Sequence, residues 1–260
     1  MTEGIAVVTG ASSGIGKEIA LQLADRGYTI WLVARREDRL QAVATTIRST
    51  PGRQARVLVL DIASRQARQS LIELLGGEAG RLALFVNNAG FGAVGPTLSH
   101  SAERYAEMTA LNIEAVTELT LGAARLMIPA GTGGIINVAS TAAFQPVPWM
   151  NTYAATKAFV LHFTEALAYE LRETGVRVMA LCPGYTRTEF QQVAGVRKDD
   201  PRLRFAMSAR DCARFGLRDF DRGKTVSVTG LRSRAQVLGT RMLPRRLVNL
   251  IASQFLKDHA

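Results

Sequence analysis

The 260-residue chain predicts an α/β fold, a single doubly wound parallel sheet of about seven strands with helices on both faces. Three observations predict it. Seven short runs rich in Val, Ile and Leu, each bounded by turn residues, read as strands buried on both faces. Between them, apolar residues recur with the helical period of about 3.6. Finally, no Ser/Pro-rich linker, low-complexity tract or internal repeat divides the chain, and 47% hydrophobic with 21% charged residues is an ordinary globular composition, so one domain over residues 1–260 is expected. Parallel strands require helical crossovers, and those crossovers are right-handed, which places helices on both faces.

The first strand is residues 5–9. After it, Ile15, Ile19, Ala20, Leu23 and Ala24 share one face of a helix, and Gly27 stands where a C-terminal glycine would stop it. Residues 28–34, 55–60, 83–87, 134–140 and 176–182 supply the next five strands, and 225–229 the last. Ser208 is a candidate N-cap for a helix that follows it. Pro244-Arg245-Arg246 opens a stretch in which Leu247, Leu250, Ile251 and Phe255 line one helical face, an amphipathic basic helix.

Ligands of such sheets bind beyond the carboxyl ends of the strands. There, directly after the first strand, lies Thr9-Gly10-Ala11-Ser12-Ser13-Gly14-Ile15-Gly16. Its glycines permit a tight turn and a close approach to the backbone, and the helix behind it offers free N–H groups and a partial positive charge to a pyrophosphate. Taken alone, an ordinary tight βα loop explains the turn equally well.

The spacing G-x-x-x-G-x-G does not stand alone. Asn87-Asn88-Ala89-Gly90 follows the fourth strand, Asn112 lies in the next helix and Ser140 ends the fifth strand. Tyr153-Ala154-Ala155-Thr156-Lys157 and Pro183-Gly184 come next. This ordered set resembles the short-chain dehydrogenase/reductase family, with its Rossmann-like sheet, from about residue 5 to residue 188. The resemblance implies Asn112, Ser140, Tyr153 and Lys157 as catalytic residues. Lys157 would also bond the nicotinamide ribose, Ser140 hold the substrate oxygen, and Asn112 help position a water near Lys157. It further implies that Gly10, Ser12, Ser13, Gly14, Ile15 and Gly16 cradle a dinucleotide, that Asp61 and Ile62 contact adenine, and that Asn88 and Gly90 wall the adenosine ribose. Pro183 and Gly184 would line the nicotinamide end, and Thr188 bond the carboxamide. A variable substrate lid is expected at about 187–222, and a homodimer or homotetramer formed through helices near 101–129 and 151–174.

An NAD site would carry a carboxylate at the end of the second strand to bind the ribose 2′-hydroxyl. Val33-Ala34-Arg35-Arg36 has none, and two guanidiniums suit a 2′-phosphate, so NADP(H) is the expected cofactor. The alternative is that both arginines are a solvated helix start, although positive charge is disfavoured at that end.

Tyr153 and Lys157, four residues apart on one helix face, have Cβ atoms about 5–6 Å apart. A phenol titrating near pH 10 is a poor base at neutrality. A nearby ammonium and the oxidised nicotinamide are expected to lower it by about three units, suiting it to acid/base work. Around it, Phe91, Phe144, Gln145, Pro146, Pro148, Trp149 and Phe190 lie on loops that converge. Of these, Phe144, Gln145, Trp149 and Phe190, together with Ser140 and Tyr153, are expected to bind a lipophilic carbonyl or alcohol. Packing of the loops is an equal alternative for the aromatics.

His100, His162 and His259 lack metal-ligand spacing, so no metal is expected. Cys182 and Cys212 allow at most one disulfide, and Cys182 reads as a small buried hydrophobe. Thr2 and Glu3 lead into an apolar run too short for a secretory signal, and no stretch reaches spanning length, so a cytoplasmic protein is expected. The net charge of +10 is concentrated: residues 197–260 hold 15 Lys and Arg against 6 Asp. This basic last quarter, which includes a basic C-terminal segment at about 230–260, lacks interleaved aromatics or a nucleic-acid-binding module. The amphipathic helix that Pro244 opens would cover a neighbouring subunit, lie on an anionic membrane or extend the substrate pocket. The functional reading is an NADP(H)-dependent oxidoreductase acting on a carbonyl or alcohol. The alternatives are an idle NADP-binding or redox-sensing module on the same fold, or an NAD-preferring dehydrogenase.

Overall fold

The structure, a computed structural model, describes residues 4–197 and 200–256. Its elements run β1 (Ile5–Thr9), α1 (Gly14–Ala24), β2 (Thr29–Ala34), α2 (Glu37–Arg48), β3 (Ala55–Val59), α3 (Arg65–Gly76), β4 (Leu82–Asn87), α4 (Ala102–Thr109), α5 (Ala115–Met127) and β5 (Gly133–Val138). There follow α6 (Asn151–Glu170), β6 (Val176–Cys182), β7 (Thr186–Arg187), α7 (Phe190–Val193), β8 (Met207–Ser208), α8 (Ala209–Asp221), β9 (Val226–Val228), α9 (Leu231–Met242) and α10 (Arg245–Leu256). Thr2, Glu3, His259 and the side chain of Phe255 lie outside the described residues.

Seven strands form one parallel sheet in the order β3-β2-β1-β4-β5-β6-β9. Each coincides with a predicted strand to within two residues at its ends. The unbroken apolar runs have a direct cause. In β1, Ala6 and Val8 pack with Ile19, Leu23 and Leu40 from α1 and α2, while Ile5 and Val7 pack on the opposite face with Leu71, Leu119 and Met127. Both faces are thus removed from water, at about 1.5–3 kcal/mol for each large apolar side chain. Strand order reverses between β1 and β4, which opens a crevice beyond their carboxyl ends.

Local signals set the helix ends. Gly27 takes the left-handed conformation after α1 (φ +86°). The Ser208 hydroxyl accepts from the Asp211 amide at 3.0 Å and caps α8. The stretch expected as a lid, 187–222, therefore ends in two different structures. Thr188, Phe190, Val193, Val196, Phe205 and Met207 from its first part line the crevice, but α8 is core: Cys212, Ala213, Leu217 and Phe220 are buried, the last three in the cluster that also holds Ile19 and Leu23. The helix that Ser208 caps is thus a packing element and not part of a cover over the crevice.

Asp219 ties α8 to the chain that follows. Its carboxylate is buried and accepts from Lys224 Nζ (2.9 Å), Ser227 Oγ (2.9 Å) and Arg234 Nη2 (3.3 Å). Burial pushes its carboxyl up, but the bonds from Lys224 and Ser227 and the charges of Lys224 and Arg234 offset this and hold it below the ordinary carboxylate range. Asp219→Ala would leave two cations and a buried hydroxyl unpaired. Because both cations are two-fifths exposed, a loss of about 2–3 kcal/mol is expected, below the full cost of breaking a buried pair. Chemical denaturation measures it, and a loss under about 0.5 kcal/mol would refute the clamp.

Candidate active site

The glycine turn is built as the spacing predicts. Gly10 (φ +66°) and Gly14 (φ +57°) adopt the left-handed conformation. Any side chain at Gly16 would collide with the Asn88 amide and the Gly10 carbonyl oxygen. Asn88 holds the turn from the neighbouring strand, its Nδ2 donating to the carbonyls of Thr9 (3.0 Å) and Gly10 (3.3 Å).

Arg36 lies across this turn. Its Nη2 donates to Ser12 Oγ and Ser13 Oγ, both at 2.9 Å, and its Nη1 to Glu189 at 2.8 Å. Arg39 reaches the other Glu189 oxygen at 3.3 Å. The hydrogen bond from Arg36 and the charges of both arginines hold the Glu189 carboxyl below its usual range. Arg35 is different: its side chain is 74% exposed and 3.7 Å from Asp61. Asp61 itself accepts from the Ala63 amide (3.1 Å) in a tight turn, and buried Ile62 presents an apolar wall.

Sequence reasoning missed the residue that fixes this wall. Arg68 is buried, donates to the carbonyls of Ile62 (3.1 Å) and Ala63 (2.7 Å), and grips both Glu118 oxygens at 2.7 and 3.2 Å. The available signal was its place on the inward stripe of α3 with Leu71 and Leu75, where a cation must be paired. A second unforeseen group, Asn87, Thr120, Asn137 and Thr164, forms a continuous buried hydrogen-bonded chain from β4 and β5 to α5 and α6.

At the other end of the crevice, Asn112 sits in a single π-type turn between α4 and α5, a local irregularity common at functional sites. Its Nδ2 donates to Phe91 O (2.9 Å) and Thr156 Oγ1 (3.0 Å), and its Oδ1 accepts from Phe91 N (3.2 Å). It thereby joins the loop after β4 to α6. Lys157 is 4% exposed and donates to Val138 O at 2.8 Å. Tyr153 is 8% exposed, lies beside Ser140 and stacks obliquely on Phe190 at 5.2 Å between ring centroids. β5 ends at Val138, before Ser140, whose hydroxyl accepts from the Ala142 amide at 3.1 Å.

The expectation of a lowered phenol is not met in this structure. Burial pushes Tyr153 up to about 12 against the pull of the neighbouring Ser140 hydroxyl, and burial pushes Lys157 down to about 8. Loss of water penalises tyrosinate and ammonium alike, and the Lys157 ammonium lies 5.8 Å from the Tyr153 ring centroid. Tyr153 therefore holds its proton and is poised as an acid.

These shifts carry a stability consequence. Between pH 8 and the ordinary lysine value of 10.5, the unfolded chain binds a proton at Lys157 that the folded chain does not. Stability therefore rises across that window, and the cost of burying the ammonium is fully present below it. Tyr153 acts oppositely, lowering stability from pH 10 to about 12. Unfolding free energy of the cofactor-free protein is expected to rise by about 1–2 kcal/mol from about pH 8 to 9.5, and to do so less in Lys157→Met. An equal slope in both proteins would refute the assignment.

One crevice of about 1380 Å³ joins the two ends. Gly10, Ser12, Ser13, Gly14, Ile15, Arg35, Arg36, Asp61, Ile62, Asn88 and Gly90 line it, as do Ser140, Gln145, Tyr153, Lys157, Pro183, Gly184, Thr188 and Phe190. Thr188 lies over the glycine turn, its methyl 3.1 Å from where a Cβ on Gly14 would stand. Phe144 and Trp149, expected in the substrate pocket, do not line it. Phe144 packs toward Val160 and Leu161, with Arg241 over its ring at 6.0 Å. Trp149, at φ +61°, packs on Val147 and Ala154. Their loops converge, but these side chains turn inward to fill space beneath them. Val193, Phe205, Leu231, Leu243 and Ile251 supply apolar wall that the sequence reading did not place. Cys182 and Cys212 are buried free thiols, pushed up by burial to about 12 and about 11.

The donor set fits a dinucleotide: backbone N–H groups at the start of α1, an apolar wall at Ile62 and a guanidinium beside two hydroxyls. A family model described as short chain dehydrogenase matches residues 4–198. Sulfoacetaldehyde reductase 2 of Chromohalobacter salexigens is 36% identical over 191 residues, 73% of this chain and 75% of that one. A short-chain dehydrogenase from Sphingobium yanoikuyae in complex with NADPH is 34% identical with a TM-score of 0.83, covering 92% of this chain and 94% of that one. A short chain dehydrogenase/reductase from Burkholderia phymatum in complex with NAD is 27% identical with a TM-score of 0.81, covering 91% and 93%. With the sheet order and the glycine turn already in place, the match from residue 4 to residue 198 shows that the chain belongs to the short-chain dehydrogenase/reductase family of oxidoreductases.

Proposed function

We propose that the protein is an NADP(H)-dependent oxidoreductase that interconverts a lipophilic carbonyl compound and its alcohol. The observation that carries this reading is the placement of Tyr153, Ser140 and Lys157 in one crevice with Arg36 and the glycine turn. Bound NADP(H) supplies or accepts the hydride at the substrate carbon. The chain's own residues manage the proton and the geometry.

Ser140 Oγ donates to the substrate oxygen and fixes it beside Tyr153 Oη. In reduction the phenol, held in its acid form by burial, gives its proton to that oxygen as the carbon gains hydride. Lys157 stabilises the tyrosinate left behind and bonds the nicotinamide ribose. Asn112 keeps the Phe91 loop docked on α6, which preserves the distance between the two walls. In oxidation the proton moves the other way, and the oxidised nicotinamide's positive charge favours the tyrosinate that receives it.

For cofactor choice the relatives point both ways, one holding NADPH and another NAD. Arg36 favours NADP(H), because a guanidinium flanked by two serine hydroxyls matches a phosphate and the end of β2 carries no acid. For the substrate, Phe190, Val193, Phe205, Leu231 and Leu243 make a wall suited to a large apolar molecule. The exposed Phe159 on α6, stacked on the part-buried Phe163, supports pairing of subunits through that helix, as a homodimer or homotetramer, and sedimentation mass tests it.

Purified protein screened for NADPH oxidation against sterol-like, acyl and aromatic carbonyls tests the whole reading. Turnover on bulky apolar ketones is expected. NADPH binding without turnover on any carbonyl would assign the chain instead to an idle, redox-sensing role.

A further inference from the structure

α9 and α10 each carry an apolar stripe that the described residues leave uncovered. On α9, Leu231, Leu238 and Met242 are 82%, 62% and 77% exposed. Their spacing of seven and four residues puts them on one side of the helix. On α10, Leu247, Leu250 and Ile251 repeat at three and four and are all exposed. Both helices are nonetheless seated on the protein, since Val237 of α9 and Val248 and Ala252 of α10 are buried. The outward apolar faces are therefore a feature of folded helices.

Guanidiniums flank the stripes. Arg232 lies on one side of the α9 stripe and Arg241 on the other, while Arg246 borders that of α10. From residue 222 to residue 256 the chain has seven Lys and Arg and no Asp or Glu. Phe205, 73% exposed beneath Arg232 at 5.0 Å, extends the apolar surface toward the crevice.

We propose that this face docks on an anionic lipid bilayer, with α9 and α10 in the headgroup plane, their leucines in the acyl boundary and their arginines on lipid phosphates. Charge selects this occupant over a second copy of the chain, because an isologous contact would set helices that carry arginines and no acid, α9 and α10, against each other. The apolar stripes likewise fit acyl chains and have no counterpart on a nucleic-acid backbone. Leu231 of α9, Ile251 of α10 and Leu243 in the link between them line the crevice mouth, so a docked protein draws a lipophilic substrate from the bilayer toward Tyr153. That last step rests on the oxidoreductase reading; the docking does not.

The full chain is sedimented with vesicles of phosphatidylcholine, with and without an equal part of phosphatidylglycerol. Binding to the anionic vesicles is expected, weakening as salt rises from about 0.1 to about 0.5 M. Arg241→Gln with Arg246→Gln should lower partitioning about thirtyfold. Leu238→Ser, Met242→Ser and Leu250→Ser together, all outside the crevice lining, should lower it at least about tenfold, with melting temperature and turnover of a water-soluble aldehyde unchanged. No partitioning of the wild type onto anionic vesicles overturns the proposal. So does an oligomer that the triple serine variant splits, which assigns the face to a second copy. Vesicle binding without carbonyl reduction would instead strike the oxidoreductase reading and leave the docking standing.

Discussion

Tyr153→Phe is expected to lower carbonyl reduction by about a thousandfold or more while changing NADPH affinity less than about threefold. The substitution removes one oxygen from a side chain whose ring stays packed on Phe190, so volume and fold are kept. It deletes the phenol beside Ser140, which burial keeps protonated until a substrate oxygen takes the proton and the Lys157 ammonium stabilises the tyrosinate left behind. Ser140 cannot replace it, since an aliphatic hydroxyl is a far weaker acid, and Ser140→Ala is expected to cost about tenfold to a hundredfold through lost orientation alone. The pH profile separates chemistry from structure. In the wild type, burial lowers Lys157 to about 8, so carbonyl reduction is expected to fall as pH rises through that value and the ammonium is lost, a dependence that the Phe variant loses. Turnover of Tyr153→Phe near the wild-type rate, with NADPH bound, would remove Tyr153 from the chemistry.

The parts of this molecule that were readable from sequence are those where backbone geometry dictates residue type. β1 must be apolar throughout because both its faces are buried, and the left-handed turns at Gly10 and Gly14 exclude a Cβ. Tyr153 and Lys157 share a helix face by periodicity alone. What stayed hidden depends on which way a side chain turns from a loop, and on partners distant in sequence. Phe144 and Trp149 sit on the right loops yet point into packing, because the space under those loops has to be filled. Arg68 stands on the inward stripe of α3, but its partner Glu118 is 50 positions away, and nothing local in the sequence joins the two. The titration of Tyr153 in the cofactor-free protein has the same origin: proximity of Lys157 follows from spacing, whereas the depth of burial that favours the neutral form of both groups is a property of the whole fold. The apolar face of α10 was visible as periodicity, with extension of the substrate pocket as one of its readings, whereas the stripe on α9 was not read from the sequence.

Arg36→Ala should raise the dissociation constant for NADPH by about thirtyfold to a hundredfold and that for NADH by less than about threefold, as expected when two or more charge-assisted bonds to a 2′-phosphate are lost. The structure divides the two arginines: Arg36 is braced by Ser12 and Ser13, while Arg35, 74% exposed, holds only a loose contact with Asp61. Arg35→Ala is therefore expected to cost several-fold at most. Glu189 supplies the opposite sign. Its carboxylate already occupies one edge of the Arg36 guanidinium at 2.8 Å and one of Arg39 at 3.3 Å, and those partners keep it ionised throughout the neutral range. A phosphate arriving at Arg36 meets that negative charge. Glu189→Gln should accordingly tighten NADPH several-fold and leave NADH unchanged, widening the preference that Arg36→Ala narrows. Raising salt should shrink the difference between the wild type and the Gln variant, since these groups are part-exposed. Equal losses of NADPH and NADH in Arg36→Ala would mean that this arginine only braces the glycine turn through its two serines. In that case cofactor preference would have to come from elsewhere in the crevice, and the Gln variant would move neither constant.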